Sequence, residues 1–138
     1  MDTNILVYAR KKCFPQHQKA LKILYDLAEG SELWALPRIC IYEFLRVVTH
    51  PKMKPPTSLK LALEDISSLL TSPTLRILEE TEQHWKIFND LALQANTTGN
   101  LIFDTNIAAL CLENGITEII TADQDFARFK SLKVINPF

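Results

Sequence analysis

The feature of this sequence that most restricts its fold is the alternation of short apolar runs with longer amphipathic segments. Apolar residues spaced three and four apart, together with capping and breaking residues, predict five helices over about residues 17–29, 37–50, 58–70, 81–95 and 104–114. Four short apolar runs predict buried strands at about residues 33–36, 75–78, 118–121 and 133–135. Strands that alternate with helices in this way indicate βαβ units and a parallel sheet covered on both faces.

The length and composition of the chain fit one globular domain. It has 138 residues, of which 47% are hydrophobic and 22% are charged, and this balance is typical of soluble proteins. No linker, repeat or low-complexity tract divides the sequence. We therefore predict a single α/β sandwich over residues 1–138.

Several classes of site and location are excluded by what the sequence lacks. Three glycines cannot supply a glycine-rich dinucleotide loop or phosphate loop, and three widely separated cysteines contain no C-x-x-C pair for zinc. No apolar run approaches the roughly 18 residues of a membrane span, and Asp2 stands where a signal peptide would need basic residues. We expect a soluble, cytoplasmic protein with reduced thiols and no membrane partner.

The net charge of −1 conceals an asymmetry along the chain. Residues 1–60 carry ten basic and five acidic side chains, whereas residues 61–138 carry five basic and eleven acidic side chains. Taken whole, the protein lacks the strongly basic composition of one that binds nucleic acid by charge alone. The basic excess lies in the first part of the chain.

Acidic residues stand at the ends of several predicted elements. Asp123 and Asp125 directly follow the strand at 118–121, and Asp104 follows the apolar run 101–103 and opens a helix. Right-handed crossovers bring the ends of parallel strands to one edge of the sheet, where α/β folds place their ligands. The carboxylates that we expect at this edge are Asp2, Glu43, Asp104, Asp123 and Asp125.

Three of these acids also have an ordinary structural explanation. An aspartate at a helix start is commonly a cap, which applies to Asp104 and, through the Thr-x-Asp pattern, to Asp123. Glu43 could be a solvated helix residue that pairs with Arg46. The coincidence of all of them at predicted strand ends is what favours a functional site.

A cluster of carboxylates without nearby histidine or cysteine indicates a particular chemistry. Like charges at close range raise one another's pKa and destabilise the fold unless a positive charge lies among them. Oxygen-only ligands prefer a hard cation, Mg²⁺ or Mn²⁺. Such a cation can orient a nucleophilic water and neutralise charge on a phosphoryl group, so the cluster points to phosphodiester hydrolysis.

Four segments of the sequence together resemble a known family, the PIN-domain ribonucleases, and most closely the VapC-type toxins of toxin–antitoxin systems. The resemblance covers essentially the whole chain. The segments are D-T-N-I-L-V-Y-A at 2–9, E-F-L-R-V-V-T-H-P at 43–51, D-T-N-I-A-A-L-C-L-E-N-G at 104–115 and T-A-D-Q-D-F-A-R-F at 121–129.

The resemblance implies a three-layer α/β/α sandwich with a short, mainly parallel central sheet. It also implies an endoribonuclease dependent on Mg²⁺ or Mn²⁺ that leaves a 5′-phosphate, a homodimer, and a small antitoxin protein as partner. Asp2 and Asp104 resemble the direct metal ligands, and Glu43 and Asp123 resemble the third and fourth acids of the site. The resemblance further gives Asn4 and Thr121 the task of holding the carboxylates, while Asp125 could share a second metal.

The start of the chain departs from the family pattern. Family members usually have several apolar residues before the first aspartate, and these form the central strand, whereas only Met1 precedes Asp2 here. Either the true start codon lies upstream, or this copy has a weakened site. We hypothesise an upstream start.

The basic residues allow two interpretations. Arg10, Lys11 and Lys12 are typical of a solvated helix end, but together with Arg46 they could follow an RNA backbone. If the four acids Asp2, Glu43, Asp104 and Asp123 are assigned to a metal site, the remaining charge is +3.

Two other functions stay open at this point. A haloacid-dehalogenase-like phosphatase also places an aspartate after its first strand, but it needs Asp-x-Asp, and Asn4 stands at the second position. A degenerate PIN domain that binds RNA or protein without catalysis is the stronger alternative, because of the short start.

Overall fold

Helices and short strands alternate along the chain, as the sequence predicts, and the α/β class is confirmed. The computed structural model describes residues 1–138. Its six α-helices are Thr3–Arg10 (α1), His17–Glu29 (α2), Arg38–Val48 (α3), Leu59–Leu69 (α4), His84–Gln94 (α5) and Leu101–Glu113 (α6). Its four strands are Trp34–Pro37 (β1), Leu75–Leu78 (β2), Glu118–Ile120 (β3) and Lys133–Ile135 (β4), with a 3-10 helix at Gln124–Arg128. None of the helices is long and apolar enough to cross a membrane.

The strands form two separate parallel pairs, whereas the sequence led us to expect one central sheet. β1 pairs with β2, and β3 pairs with β4. The first two residues lie between the pairs: the ammonium of Met1 donates to the carbonyl of Ala35 at 2.9 Å, and the N–H of Asp2 donates to the carbonyl of Ile120 at 3.0 Å. These two residues make one backbone hydrogen bond to each strand pair. A single bond on each side does not make a strand ladder, so the sheet is divided.

An apolar cleft lies between β1 and β3, next to Met1. Its volume is about 590 Å³. Its lining is mainly hydrophobic and includes Leu27, Trp34, Ile77, Ile116 and Ile135. Because peptide groups along a strand alternate in direction, the N–H groups of Ala35 and Ile120 lie on the same strand edges as the carbonyls that bind Met1 and Asp2. The cleft therefore combines an apolar lining with two strand edges, and an additional extended segment of chain could bind there.

Two local predictions are wrong. We predicted that the apolar run 101–103 precedes a helix and that Asp104 opens it. The run instead forms the first turn of α6, so Asp104 lies inside the helix. The spacing of Trp85, Phe88, Ala92 and Ala95 predicts that these residues form the inner face of the helix at 81–95, but Trp85 is 73% exposed, and Leu91 is buried instead.

The core holds the acid-bearing segments in place. Helix α1 packs against α2 and α3, and α5 packs against α6. Phe126 and Phe129 are buried and meet edge to face, with ring centroids 5.9 Å apart. Since they lie in and directly after the 3-10 helix, they anchor the loop that carries Asp123 and Asp125.

The cleft beside Met1 yields a prediction about stability. Placing Val-Ile-Val before Met1 should raise the free energy of unfolding by about 1–3 kcal/mol, because the added side chains bury apolar surface and the added backbone bonds to both strand edges. Urea unfolding measures the change. A Gly-Ser-Gly extension is the matched control and should give no gain. Equal effects of the two extensions would show that the cleft does not accept a strand.

Candidate metal centre

The carboxylate of Asp2 is buried and bonded on both oxygens. Only 6% of the residue is exposed. Its Oδ1 accepts from the N–H of Thr3 at 2.6 Å, which caps α1. Its Oδ2 accepts from the amide of Asn4 at 2.5 Å and from the hydroxyl of Thr121 at 2.6 Å. These bonds fix the carboxylate at the start of α1 and join it to the end of β3.

Thr121 connects Asp2 to the loop that follows β3. Its buried hydroxyl donates to Asp2 and accepts from the Asn4 amide at 2.8 Å and from the N–H of Asp123 at 2.9 Å. The side-chain oxygen of Asn4 accepts from the N–H of Ala122 at 3.3 Å. Asn4 and Thr121 therefore contact Asp2 and the loop that carries Asp123, and the family resemblance implies such contacts.

Three further aspartates meet beside this network. Asp123 accepts from the N–H of Asp125 at 2.9 Å and caps the 3-10 helix, and Asp104 stands in the first turn of α6. Oxygen atoms of Asp104, Asp123 and Asp125 all lie within 4.8 Å of one another. The tightest group of carboxylates thus includes Asp125, which the sequence gave only a supporting place, and does not include Asp2.

Glu43 joins the site from helix α3. Its Oε2 accepts from the hydroxyl of Thr3 at 2.7 Å, and its Oε1 faces the guanidinium of Arg46 at 3.3 Å. The contact with Thr3 was not foreseen from the sequence. A threonine directly after the first aspartate is the only signal that could have suggested it.

The electrostatics show that the acids share one region. Burial, followed by the repulsion of Asp123, Asp2, Asp125 and Glu43, raises the pKa of Asp104 to about 7. Burial also raises the pKa of Asp2, although the hydrogen bonds from Thr121 and Thr3 act in the opposite direction. The other four acids all act on Asp104, so the five form one group. The positive charges of the chain do not fully compensate the negative charges of this group.

The donor set suits a hard cation. The cations closest to the acids are the Met1 ammonium, which partly opposes the rise in the pKa of Asp2, Arg46 beside Glu43, and Arg128 at 3.4 Å from Asp125. The available ligand atoms are carboxylate oxygens, and the group contains no histidine or cysteine. Such a set binds Mg²⁺ or Mn²⁺ in preference to softer metals.

The structure does not bring the basic residues at the end of α1 to this site. Arg10 pairs with Asp65 at 2.5 Å, and Lys11 is buried with its ammonium donating to Pro55 and Thr57. Lys12 lines a separate cleft between α1, α2 and α4. Arg10, the last residue of α1, lies about 12 Å along the helix from Asp2. Of the four basic residues proposed for RNA, only Arg46 contacts one of the acids.

The repeated tetrapeptide Asp-Thr-Asn-Ile has different contacts in its two copies. In the first copy, Thr3 donates to Glu43 and Asn4 donates to Asp2. In the second, Thr105 donates to the carbonyl of Leu101, and Asn106 lies 3.2 Å from the Nε2 of His84. The repeat therefore does not mark two equivalent half-sites.

Comparison with known proteins gives the family. The family model described as the PIN domain matches residues 1–132. The VapC ribonuclease Mb2897 of Mycobacterium bovis is 36% identical over 99% of this chain and 93% of its own length. Ribonuclease VapC48 of Mycobacterium tuberculosis is 30% identical over 99% of this chain and 95% of its own.

A solved structure shows the same fold. The crystal structure of VapBC2 from Rickettsia felis bound to a DNA fragment from their promoter superposes with a TM-score of 0.68, over 97% of this chain and 94% of that one, at 20% identity. The resemblance found in the four sequence segments is thus confirmed over nearly the whole chain. The chain belongs to the PIN domain family, among the VapC proteins.

Proposed function

We propose that this protein is a metal-dependent endoribonuclease that acts as the toxin of a toxin–antitoxin pair. The observation that carries the proposal is the group of Asp104, Asp123 and Asp125, whose oxygens lie within 4.8 Å of one another. Burial and the repulsion of Asp123, Asp2, Asp125 and Glu43 raise the pKa of Asp104 to about 7. Carboxyl groups whose pKa values are strongly raised by burial and by like charges cluster at functional sites. The names of the relatives, which are VapC ribonucleases, support RNA as the substrate.

Mg²⁺ or Mn²⁺ is the proposed cofactor. Asp104, Asp123 and Asp125 would hold it, because their oxygens lie closest together, and Asp2 would add a further negative charge that is fixed by its hydrogen bonds. When bound, the cation supplies an activated water and stabilises negative charge on the phosphoryl group.

The remaining steps fall to the side chains around this group. Glu43 would accept the proton of the attacking water at Oε1, because the hydroxyl of Thr3 occupies Oε2. Thr3 holds Glu43 at Oε2, so the carboxylate keeps one orientation. Cleavage of the bond between phosphorus and the 3′-oxygen would then give a 5′-phosphate on one product and a hydroxyl on the other.

The biological setting is part of the proposal. We propose a small antitoxin protein as partner, a homodimer as the active assembly, and the cytoplasm as its location. Membership of the VapC group supports these proposals, and the fold likeness to VapBC2 agrees with the first of them.

Cleavage of RNA tests the activity. Wild-type protein free of antitoxin should cut RNA with Mn²⁺ or Mg²⁺ and stop when EDTA is added. Asp104→Asn or Asp123→Asn should lower the rate at least about 100-fold, because each removes a negative ligand from the group. Asp90→Asn, an exposed acid on α5, is the matched control and should cut at the wild-type rate. RNA that stays intact with purified protein and Mn²⁺ would overturn the proposal.

The raised pKa of Asp104 predicts how stability depends on pH. Because its pKa is about 7 in the folded protein and near 3.8 in the unfolded chain, its contribution is full below the lower value and is lost as pH rises through the higher one. Metal-free protein should therefore lose about 1–2 kcal/mol of unfolding free energy between about pH 5 and pH 7, a figure reduced for the solvent screening of a half-exposed group.

Urea unfolding in EDTA at both pH values measures this loss. Asp104→Asn should abolish most of it and stabilise the protein near pH 8, whereas Asp90→Asn should keep the wild-type dependence. Adding Mg²⁺ near pH 8 should restore stability by mass action. A pH dependence that survives in Asp104→Asn would place its origin elsewhere.

A further inference from the structure

The second half of α3 and the loop to α4 carry basic residues without any acid among them. Residues 44–63 contain no aspartate or glutamate, and all of their basic side chains are exposed: Arg46, His50, Lys52, Lys54 and Lys60. Glu43, one of the five grouped acids, comes directly before this stretch. The basic stretch therefore begins at the candidate metal centre.

Helix geometry places the first of these residues on the same side of α3 as Glu43. A residue seven positions further along a helix is rotated by only about 20° and lies about 10 Å along the axis. His50 has this spacing from Glu43, and its N–H bonds to the carbonyl of Val47 at 3.3 Å, so the turn continues to it beyond the end of α3. Arg46 lies between them and faces Glu43 at 3.3 Å. The three side chains form a line that leads away from the acids.

The loop after α3 holds the next donors beside His50. The Nδ1 of His50 accepts the N–H of Lys52 at 3.1 Å, so the hydrogen of the neutral ring is on Nε2. The N–H of Met53 bonds to the carbonyl of His50 at 2.9 Å and closes a turn. This turn keeps Lys52 next to the ring, and Lys54 follows two residues later. Cations at a helix end also suit the helix dipole, which is their ordinary structural explanation.

A buried cation lies under the same loop. Lys11 is only 6% exposed, and its ammonium donates to the carbonyl of Pro55 and, at 3.3 Å, to the hydroxyl of Thr57. Both partners are neutral, although an ammonium has three hydrogens to donate. A buried charge without an opposite partner is costly, and an anion bound on the outside of the loop would offset part of this cost.

We propose that phosphates of the RNA substrate bind along a track that leads from the metal centre over this loop and consists of Arg46, His50, Lys52 and Lys54, with Lys11 beneath. This inference rests on the proposed ribonuclease function and gives the substrate a second contact surface. Guanidinium, imidazole N–H and ammonium groups bind phosphate oxygens and position the strand without reading its sequence. A stacked strand rises about 3.4 Å per nucleotide, so His50 lies about three nucleotides from the cleaved bond.

Binding of a labelled RNA in EDTA and low salt tests the track without cleavage. Lys52→Gln with Lys54→Gln should raise Kd on the order of 10-fold and lower the slope of log Kd against log salt by about 1.4, at about 0.7 for each phosphate contact. Lys19→Gln with Lys86→Gln is the matched control, because it removes the same charge from exposed positions on α2 and α5. Equal effects of the two double variants, or no binding by the wild-type protein, would overturn the proposal.

The buried cation has a separate test. Lys11→Met keeps the length of the side chain and replaces a buried charge with apolar atoms, so the protein should stay folded in urea unfolding. The same variant should bind RNA on the order of threefold more weakly, with a smaller salt dependence. Wild-type RNA binding by folded Lys11→Met would overturn the part assigned to Lys11.

Extended substrates test the direction of the track. For an RNA that is cut at one position, about five added nucleotides on one side of the cut should lower KM, and the same addition on the other side should not. The gain should vanish in the Lys52 and Lys54 double variant while kcat stays within about twofold, because the track acts on binding. Equal gains on both sides would contradict a track that leads one way.

The EDTA measurement also separates this inference from the proposed function. If RNA is never cut but binds in EDTA and loses affinity in the Lys52 and Lys54 double variant, the proposed activity fails and the track stands. If cleavage is normal and that variant keeps the wild-type KM and salt dependence, the track is overturned. A changed oligomeric mass with unchanged RNA binding would also overturn it, because the loop would then be a protein interface.

Discussion

The hydrogen bonds of the Asp2 carboxylate are the interaction on which the site depends. One oxygen caps helix α1, and the other binds Thr121, which also accepts the N–H of Asp123. A carboxylate buried without such donors would be costly, and here the donors come from both ends of the chain. The same bonds that make burial tolerable therefore set the distance between the first aspartate and the loop after β3.

The convergence of acids is a local cost to the fold. Repulsion and burial raise the pKa of Asp104, so its ionised form favours unfolding. The surrounding core offsets this cost, with Phe126 and Phe129 buried directly behind the loop. The site thus stores unfavourable electrostatic energy in a region that packing keeps rigid, which is the arrangement expected where a cation completes the structure.

Much of the fold could be predicted from the sequence, because periodic spacing and breaking residues are local signals. The helix at His17–Glu29, the strand at Leu75–Leu78 and the start of α4 near Ser58 all follow from nearby residues. The division of the sheet could not be foreseen, since it depends on two residues that bond to strands far along the chain. The burial of Lys11 had no signal either, because its partners are brought to it by the tertiary fold.

The candidate acids of the site were predicted for a related reason. Strand ends and helix starts can be located from local pattern, and this placed Asp123 and Asp125 just after β3 and Asp104 near the start of α6. The distances between these side chains could not be predicted from the sequence pattern. Asp125 was therefore ranked below Asp2, although it belongs to the tightest group of carboxylates. Contacts such as Thr3 with Glu43 join residues about 40 positions apart, and no local rule predicts them.

The divided sheet also divides the chain. Residues 1–78 contain α1 to α4 with the pair β1–β2, and residues 79–138 contain α5, α6 and the pair β3–β4. The first part carries eleven basic and seven acidic side chains, and the second carries four basic and nine acidic ones, so the two attract each other. Asp2 and Glu43 belong to the first part, and the three clustered aspartates belong to the second. Two separately made fragments, cut in the loop after Leu78, would each lack a complete site and would regain it only on reassociation.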